Sequence, residues 1–405
     1  MNSILLVSYT LNGVSGIQTC LVNFLNAMAK TGCKVDLLLL DSIRDEWRCR
    51  LGLIPDSVKV LPELWQCGAF DDAYRRKCAE QGHDGWIALR QRIRSLNIAD
   101  GEDVHRNWRC LEAIVPEMGD YDAAIAYEWR MPFFVVSEKV RAKRKFLFWH
   151  MEIGGLENFD RELEGNQRHL GNITKSICVS RGVEEGVLSR YPSEAGRTAV
   201  AYNPIDADLI REGSAAFYPD EYGGESIKIC TVGTPGNRKG LDLIVECARL
   251  LKDEGLRFRW VLVGDDRAGM YAGDVESAKT RIGGCGIAEQ LVFAGPKANP
   301  YPYIRNCDIY AQPSRNEGFV TAVEEAKVLA RPCVIGNFAA APEQIADGET
   351  GFVVDSVGGD YRGLAMKIAL LANDKGLRER FSRRLEGYGG RDSTDIYREL
   401  FGQAP

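Results

Sequence analysis

This 405-residue chain contains no apolar run approaching the roughly 20 residues that cross a bilayer. No excess of basic charge is present either: the net charge is −6, so the footprint of a nucleic-acid binder is missing and no nucleic-acid partner is expected. None of the twelve cysteines stands in a Cys-x-x-Cys spacing, which argues against a zinc or disulfide framework and for a reducing cytoplasm. Several of them, including Cys178, Cys230 and Cys333, lie in strand-like apolar runs where cysteine behaves as a small hydrophobe. The stretch Met1 to Tyr9 has neither a basic region before its apolar core nor a small-residue cleavage pattern after it. It reads as a buried strand and not a signal peptide.

What is present is an alternation of short apolar runs and longer helix-period stretches. Strands are expected at Ile4–Ser8, Val35–Leu40, Ala123–Ala126, Phe146–Trp149, Ser176–Val179 and Ala199–Tyr202. A second series follows at Ile227–Val232, Trp260–Val263, Leu291–Phe293, Ile309–Ala311, Cys333–Ile335 and Phe352–Val354. Apolar strands alternating with helices predict an α/β fold of two doubly wound parallel-sheet, Rossmann-like domains facing across a cleft. The Pro-, Asp- and Gly-containing segment between Asn203 and Ser226 marks the boundary. The expected domains are residues 1–203 and 204–390, with a C-terminal helix near 391–405 packing back on the first. Residues 42–120 are poor in strand signal and are expected to be mostly helical. The basic run Arg141 to Lys145 reads as a solvated helix face or loop, with a sharper reading as a patch for an anionic membrane surface.

Ligands of open α/β sheets bind at the loops after the strands. The most informative such loop is Ser314-Arg315-Asn316-Glu317-Gly318-Phe319-Val320-Thr321, which follows a buried strand and opens a helix reaching about Ala330. A helix start offers free N–H groups to a phosphate. Gly318 permits close approach, and the amides of Phe319, Val320 and Thr321 are candidate donors. Glu317 and Glu325 bracket that seat. Carboxylates beside a phosphate site make chemical sense when they accept from sugar hydroxyls, which a nucleotide-sugar carries on both sides of its diphosphate. Glu324, by contrast, reads as an ordinary first-turn acid.

The run from Asn299-Pro300-Tyr301 through Pro313-Ser314-Arg315-Asn316-Glu317-Gly318-Phe319 to Glu325-Ala326 resembles the donor-site segment of the group 1, family 4 glycosyltransferases, which are retaining enzymes of the GT-B fold. The loop from Gly233 to Lys239-Gly240, the Val263-Gly264-Asp265 strand end, Pro342-Glu343-Gln344-Ile345 and Asp347-Gly348-Glu349-Thr350-Gly351 are similar to further family motifs. Gly16-Ile17-Gln18, Trp149-His150 and Tyr202-Asn203-Pro204 match more loosely. The resemblance implies that Glu325 accepts the ribose hydroxyls, Glu317 sits by the transferred sugar and Lys239 neutralises the departing diphosphate. It also implies that the backbone at Gly16 approaches the diphosphate and that His150 contacts the donor sugar. The chain departs from the family at Thr234, where an arginine is usual: either Arg238 takes that place or the diphosphate is held more weakly. Glu128, after the third expected strand, is a candidate on the acceptor side. His83, His105 and His169 read as solvent-exposed.

The function implied is transfer of a hexosyl or N-acetylhexosaminyl group, with retention, to a glycan or lipid-linked acceptor of polysaccharide biosynthesis. Uridine diphosphate is expected ahead of guanosine diphosphate in the donor. No cofactor and no metal are expected, and the location implied is cytoplasmic with a peripheral contact on the inner membrane face. Two alternatives stay open: a nucleotide-sugar 2-epimerase of the same architecture, and a non-catalytic nucleotide- or glycan-binding relative.

Overall fold

A computed structural model describes residues 2–11, 16–40, 43, 45–61, 115, 117–129, 131–153, 167–266 and 271–402. Trp65, Trp86, Trp108, His83 and His105 lie outside these residues, as do Gly13 and Ser15. The chain divides into two compact units. The first comprises Met1–Gly13, Phe24–Tyr202 and Ser393–Pro405, and the second Val14–Asn23 and Asn203–Asp392.

Thirteen parallel strands build two sheets among the described residues. The first holds β1 (Ser3–Ser8), β2 (Lys34–Leu39), β3 (Val58–Val60), β4 (Met118–Ala126), β5 (Val140–Trp149), β6 (Lys175–Cys178) and β7 (Thr198–Val200) in the order 3-2-1-4-5-6-7. The second holds β8 (Ile227–Val232), β9 (Phe258–Val263), β10 (Leu291–Gly295), β11 (Ile309–Gln312), β12 (Cys333–Gly336) and β13 (Gly351–Val354) in the order 10-9-8-11-12-13. Both orders reverse direction beside their first strand, which is the topological switch point where such sheets open a crevice. Helices that matter to the site are α1 (Gly16–Ala29), α2 (Ala207–Gly213), α3 (Leu241–Asp253), α4 (Thr321–Val328), α5 (Ala341–Gln344), α6 (Lys375–Leu385) and α7 (Thr394–Phe401).

In the second unit, Ile244, Ala248 and Leu251 of α3 pack with Trp260, Leu262, Leu364, Ile368 and Phe381 in one apolar core. Cys230 and Cys333 lie fully buried in their strands, as small hydrophobes do. In the first unit α7 presents Tyr397 and Phe401 to an aromatic cluster. Phe24 meets Tyr397 edge-on at 4.9 Å, and Phe146 meets Phe401 in the same way at 4.9 Å, a geometry that ring quadrupoles favour.

Most of the stretch 42–120, expected to be mostly helical, lies outside the described residues; its described part holds a 3-10 helix at Asp45–Leu53, β3 and the start of β4. Two readings of the sequence are corrected. The run Arg141 to Lys145 is the first half of β5, neither helix nor loop. Arg141 pairs with Asp120 at 3.0 Å and Glu117 at 3.2 Å, and Lys143 with Asp122 at 2.8 Å, while Arg144 and Lys145 donate to the carbonyls of Leu400 at 2.9 Å and Ser137 at 2.8 Å. His169 is buried, with Nδ1 2.6 Å from Glu138 Oε1 and the rings of Phe133 and Phe134 edge-on to it. No helix among the described residues is long and apolar enough to cross a membrane.

Candidate active site

The second unit gathers Gly16, Arg238, Lys239, Glu317, Gly318, Phe319, Val320 and Glu325 from three pieces of chain. The first piece is the loop after β8. It leaves the sheet at Gly233, whose N–H donates to Val263 O at 2.8 Å, and makes one tight turn over Asn237–Lys239 before α3 begins. Gly240 ends that turn at φ +79°, and a methyl group there would stand 2.2 Å from Pro313 O. Only a residue without Cβ lets the two loops touch so closely.

The second piece is the loop after β11, fastened to the first by charge. Both guanidinium Nη atoms of Arg315 lie 2.7 Å from the Asp242 carboxylate, the bidentate geometry that fixes orientation as well as distance. Arg315 N–H also donates to Arg238 O at 2.9 Å. So held, Lys239 Nζ donates to Glu317 Oε1, and Arg238 Nη1 stands 3.9 Å from Glu317 Oε2. Arg238 is itself steered by Tyr271 Oη at 3.3 Å and Asn316 O at 3.2 Å. Burial alone would raise the Glu317 carboxyl, but Lys239 and Arg238 outweigh it and hold the group below its ordinary value. For Lys239 burial wins: its ammonium is pulled below the usual range, with Arg238 adding to the effect and Glu317 opposing it.

Glu325, on α4, is the opposite case. It is 6% exposed and has no hydrogen-bond or ion-pair partner among the described residues, so burial pushes its carboxyl up to about 7. Glu324 beside it is fully buried and multiply bonded, to Lys327 at 2.9 Å, to Gln344 Nε2 at 3.0 Å and to Tyr388 Oη. Its reading as an ordinary first-turn acid is therefore corrected. The amide of Val320, expected to face an anion, instead donates to Gln344 Oε1 at 3.0 Å. That reading too is corrected: the carboxamide already satisfies the donor. Gly318 and Phe319 lie in the loop just before it, and α4 begins at Thr321.

The third piece is the start of α1. A methyl group on Gly16 would lie 3.6 Å from Thr321 Oγ1, and Cys20 Sγ lies 3.8 Å from the same oxygen.

His150 and Glu128 belong to the first unit. Glu128 accepts from Ser8 Oγ at 2.8 Å and from Tyr9 N–H at 3.2 Å. His150 follows β5 with its ring nearly parallel to Phe148 (5.6 Å, 16°) and 4.5 Å from Tyr127. Burial drives its imidazole down to about 3, so it is neutral at physiological pH, and its Nε2 is buried without a partner.

Two Asp-x-Asp triplets are in structural use. Asp122 of the first accepts from Ser3 and Lys143, and Asp206 of the second caps α2 through Leu209 N–H at 2.9 Å. No group of three or more His, Cys, Asp or Glu side chains among the described residues is placed to hold a metal ion.

Residues 221–386 match the model of the family described as glycosyl transferases group 1. That span contains Arg238, Lys239, the Glu317 loop, Glu325 and Gln344. Over 98 residues the chain is 34% identical to the capsular polysaccharide biosynthesis glycosyltransferase CapM of Staphylococcus aureus, 24% of each protein. The chain thus spans about a quarter of the length of that curated relative. Solved structures match end to end. The Anabaena Alr3699/HepE structure with UDP and glucose superposes with a TM-score of 0.70 over 99% of this chain and 98% of that one, at 16% identity. Sucrose-phosphate synthase from Thermosynechococcus elongatus gives 0.71 over all of both chains, also at 16% identity. The fold is therefore GT-B, two parallel-sheet Rossmann-like domains.

Proposed function

We propose that this chain is a glycosyltransferase that moves a hexosyl or N-acetylhexosaminyl group from a nucleoside-diphosphate-sugar to a hydroxyl acceptor, with retention of configuration, as a family 4 enzyme. The observation that carries the reading is Glu325, a buried carboxylate without a partner, in one unit with a lysine and an arginine gathered at Glu317. An empty-handed buried carboxylate is costly unless a ligand supplies its donors, and ribose hydroxyls are suitable ones. Lys239 has two further N–H donors beyond the one given to Glu317 and serves the departing diphosphate, charge compensation that grows toward the transition state. Arg238, rather than Thr234, supplies the second positive charge. Glu317, kept ionised by its two cations, orients the transferred sugar. His150, neutral, offers Nε2 to a sugar hydroxyl.

In the step proposed, the bond from the anomeric carbon to the diphosphate oxygen breaks. The acceptor oxygen bonds to that carbon on the same face, and the acceptor's proton passes to the leaving phosphate oxygen. Glu317 is engaged by Lys239, which favours this route over a covalent glycosyl-enzyme. The family match over residues 221–386 and the UDP and glucose bound by the Anabaena relative support a nucleotide-sugar donor, with uridine ahead of guanosine diphosphate. A glycan or lipid-linked acceptor, reached at the inner membrane face from the cytoplasm, fits the capsular polysaccharide role named for the S. aureus relative. No metal or other cofactor enters this reading.

A thermal-shift screen with uridine and guanosine diphosphates, followed by donor hydrolysis and transfer assays on Lys239→Ala and Glu325→Ala, tests the proposal. Full activity in both variants would reject it. Release of an epimerised nucleotide-sugar without acceptor, read by NMR, would favour the epimerase instead.

A further inference from the structure

Helix α4 carries a charged pair on its buried face. Glu324 is fully buried, and Lys327, one turn on, is 6% exposed. Lys327 Nζ lies 2.9 and 3.2 Å from the two Glu324 oxygens, 3.1 Å from Tyr388 Oη, and 4.3 Å from the centre of the Tyr388 ring. Such a pair is a poor device for stability, because apolar side chains of similar volume hold a helix at least as well. What it does determine is a direction. Glu324 accepts only, so the end of the Gln344 carboxamide facing it must be the Nε2 end, at 3.0 Å. The second Nε2 proton then reaches Val320 O at 2.9 Å, and Oε1 is left to accept from Val320 N–H at 3.0 Å. All three contacts agree on one orientation, and a flipped amide would set N–H against N–H.

Val320 is the N-cap of α4 and has no capping side chain of its own. Gln344, from α5, instead binds both backbone groups of Val320, accepting from its N–H and donating to its carbonyl, and so fixes the two successive peptide units that flank this residue. At its other end the loop is fixed by Arg315 on Asp242 and by Arg238 on Asn316 O. Glu317, Gly318 and Phe319 thus lie between two clamps, one ionic and one a carboxamide.

We propose that Gln344, oriented by Glu324, Lys327 and Tyr388, is a positioning residue that sets the Glu317–Phe319 backbone for the donor. The inference rests on the reading of this loop as part of a nucleoside-diphosphate site.

Two variants test it, Gln344→Leu and the double variant Glu324→Leu with Lys327→Met, using UDP as the probe in calorimetric titration and hydrogen exchange at the Val320 amide. Exchange at Val320 should quicken at least tenfold in both variants, without change deeper in α4. UDP affinity should fall about tenfold in both, while the melting temperature of the double variant stays level or rises. The double variant keeps the test alive should Gln344→Leu fail to fold. Unchanged exchange and unchanged affinity in the double variant would overturn the positioning role. Absence of UDP binding by the unaltered protein, with Val320 exchange still responding, would instead reject the donor-site reading and leave the clamp standing.

Discussion

Lys239 donates to the Glu317 carboxylate across 78 residues of sequence, and Arg238 stands 3.9 Å from the same group. Removing one partner of such a pair leaves the other buried and uncompensated. Lys239→Met and Glu317→Gln should each lower stability by about 2–4 kcal/mol, the lower part of the range reflecting the 20% exposure of Lys239. The double variant should lose less than the sum, and denaturant unfolding of the four proteins measures the coupling. Glu317 is held below its ordinary value in the fold, so its contribution is present above about pH 4.5 and is lost as pH falls through the folded value. Glu317→Gln should therefore flatten the acid limb of the stability curve. Transfer should drop about 100-fold in either single variant if they orient and compensate charge as proposed.

Glu325 should show the reverse pH behaviour. Its carboxyl is raised from the ordinary 4.5 to about 7 by burial, so the stability associated with its neutral form is complete below 4.5 and is lost as pH rises through 7. Glu325→Gln should be more stable than the unaltered protein at pH 8, by on the order of 2–3 kcal/mol, with the gap closing below pH 4.5. Nucleotide binding should move the other way. UDP affinity should strengthen between pH 6 and 8 as the carboxylate forms, and Glu325→Gln should remove that dependence. Titration calorimetry at fixed ionic strength decides; a UDP affinity constant across this range would sink the ribose assignment.

All twelve strands expected from the sequence are present, because buried parallel strands are apolar throughout and announce themselves. β3 was invisible for the opposite reason: Val58-Lys59-Val60 is three residues at a sheet edge, with a lysine in the middle. Arg141 to Lys145 misled because Arg141 and Lys143 are paired with acids on the neighbouring strand and Arg144 and Lys145 donate to backbone carbonyls, partnerships no local pattern records. In the site, Lys239, Glu317 and Glu325 were legible from loop motifs. Asp242, Tyr388 and the part played by Gln344 within its motif were not, since each acts through a side chain from a distant segment onto another loop's backbone or charge. The engagement of Val320 N–H was hidden for the same reason.

Gly240 is a point where the chain tolerates no side chain. Its φ of +79° and the 2.2 Å separation of a hypothetical Cβ from Pro313 O combine strain with a clash against backbone, which cannot swing aside. Gly240→Ala should cost about 2–4 kcal/mol of stability, and Gly255→Ala serves as the control. Gly255 has a similar φ, +78°, with nothing within 4 Å of the added methyl, so its cost should stay near 1 kcal/mol. The difference between the two, read by denaturant unfolding, isolates the loop-to-loop contact. Gly240→Ala should also weaken UDP binding, because the contact it breaks sets Lys239 beside Glu317.

His150 stands at the end of β5 as a neutral imidazole. Its ring lies on Phe148 and beside Tyr127, and burial outweighs a backbone hydrogen bond at Tyr127 to depress its imidazole from 6.5 to about 3. A group depressed in this way favours the fold fully above pH 6.5, and that contribution is lost as pH falls toward 3. His150→Phe should therefore abolish the part of the acid sensitivity that sets in between pH 6.5 and 3, while Glu317→Gln acts only below about 4.5, which separates the two. The ring resonances of His150 should not move between pH 5 and 8 in NMR titration, and the pH–rate profile should carry no limb near 6.5 from this residue. If His150 offers its neutral Nε2 to the sugar and not to the nucleotide, His150→Phe should keep the fold and reduce transfer about 100-fold with little change in UDP affinity. A resonance titrating near 6.5 would contradict the neutral ring, and an equal loss of UDP affinity would place His150 at the nucleotide.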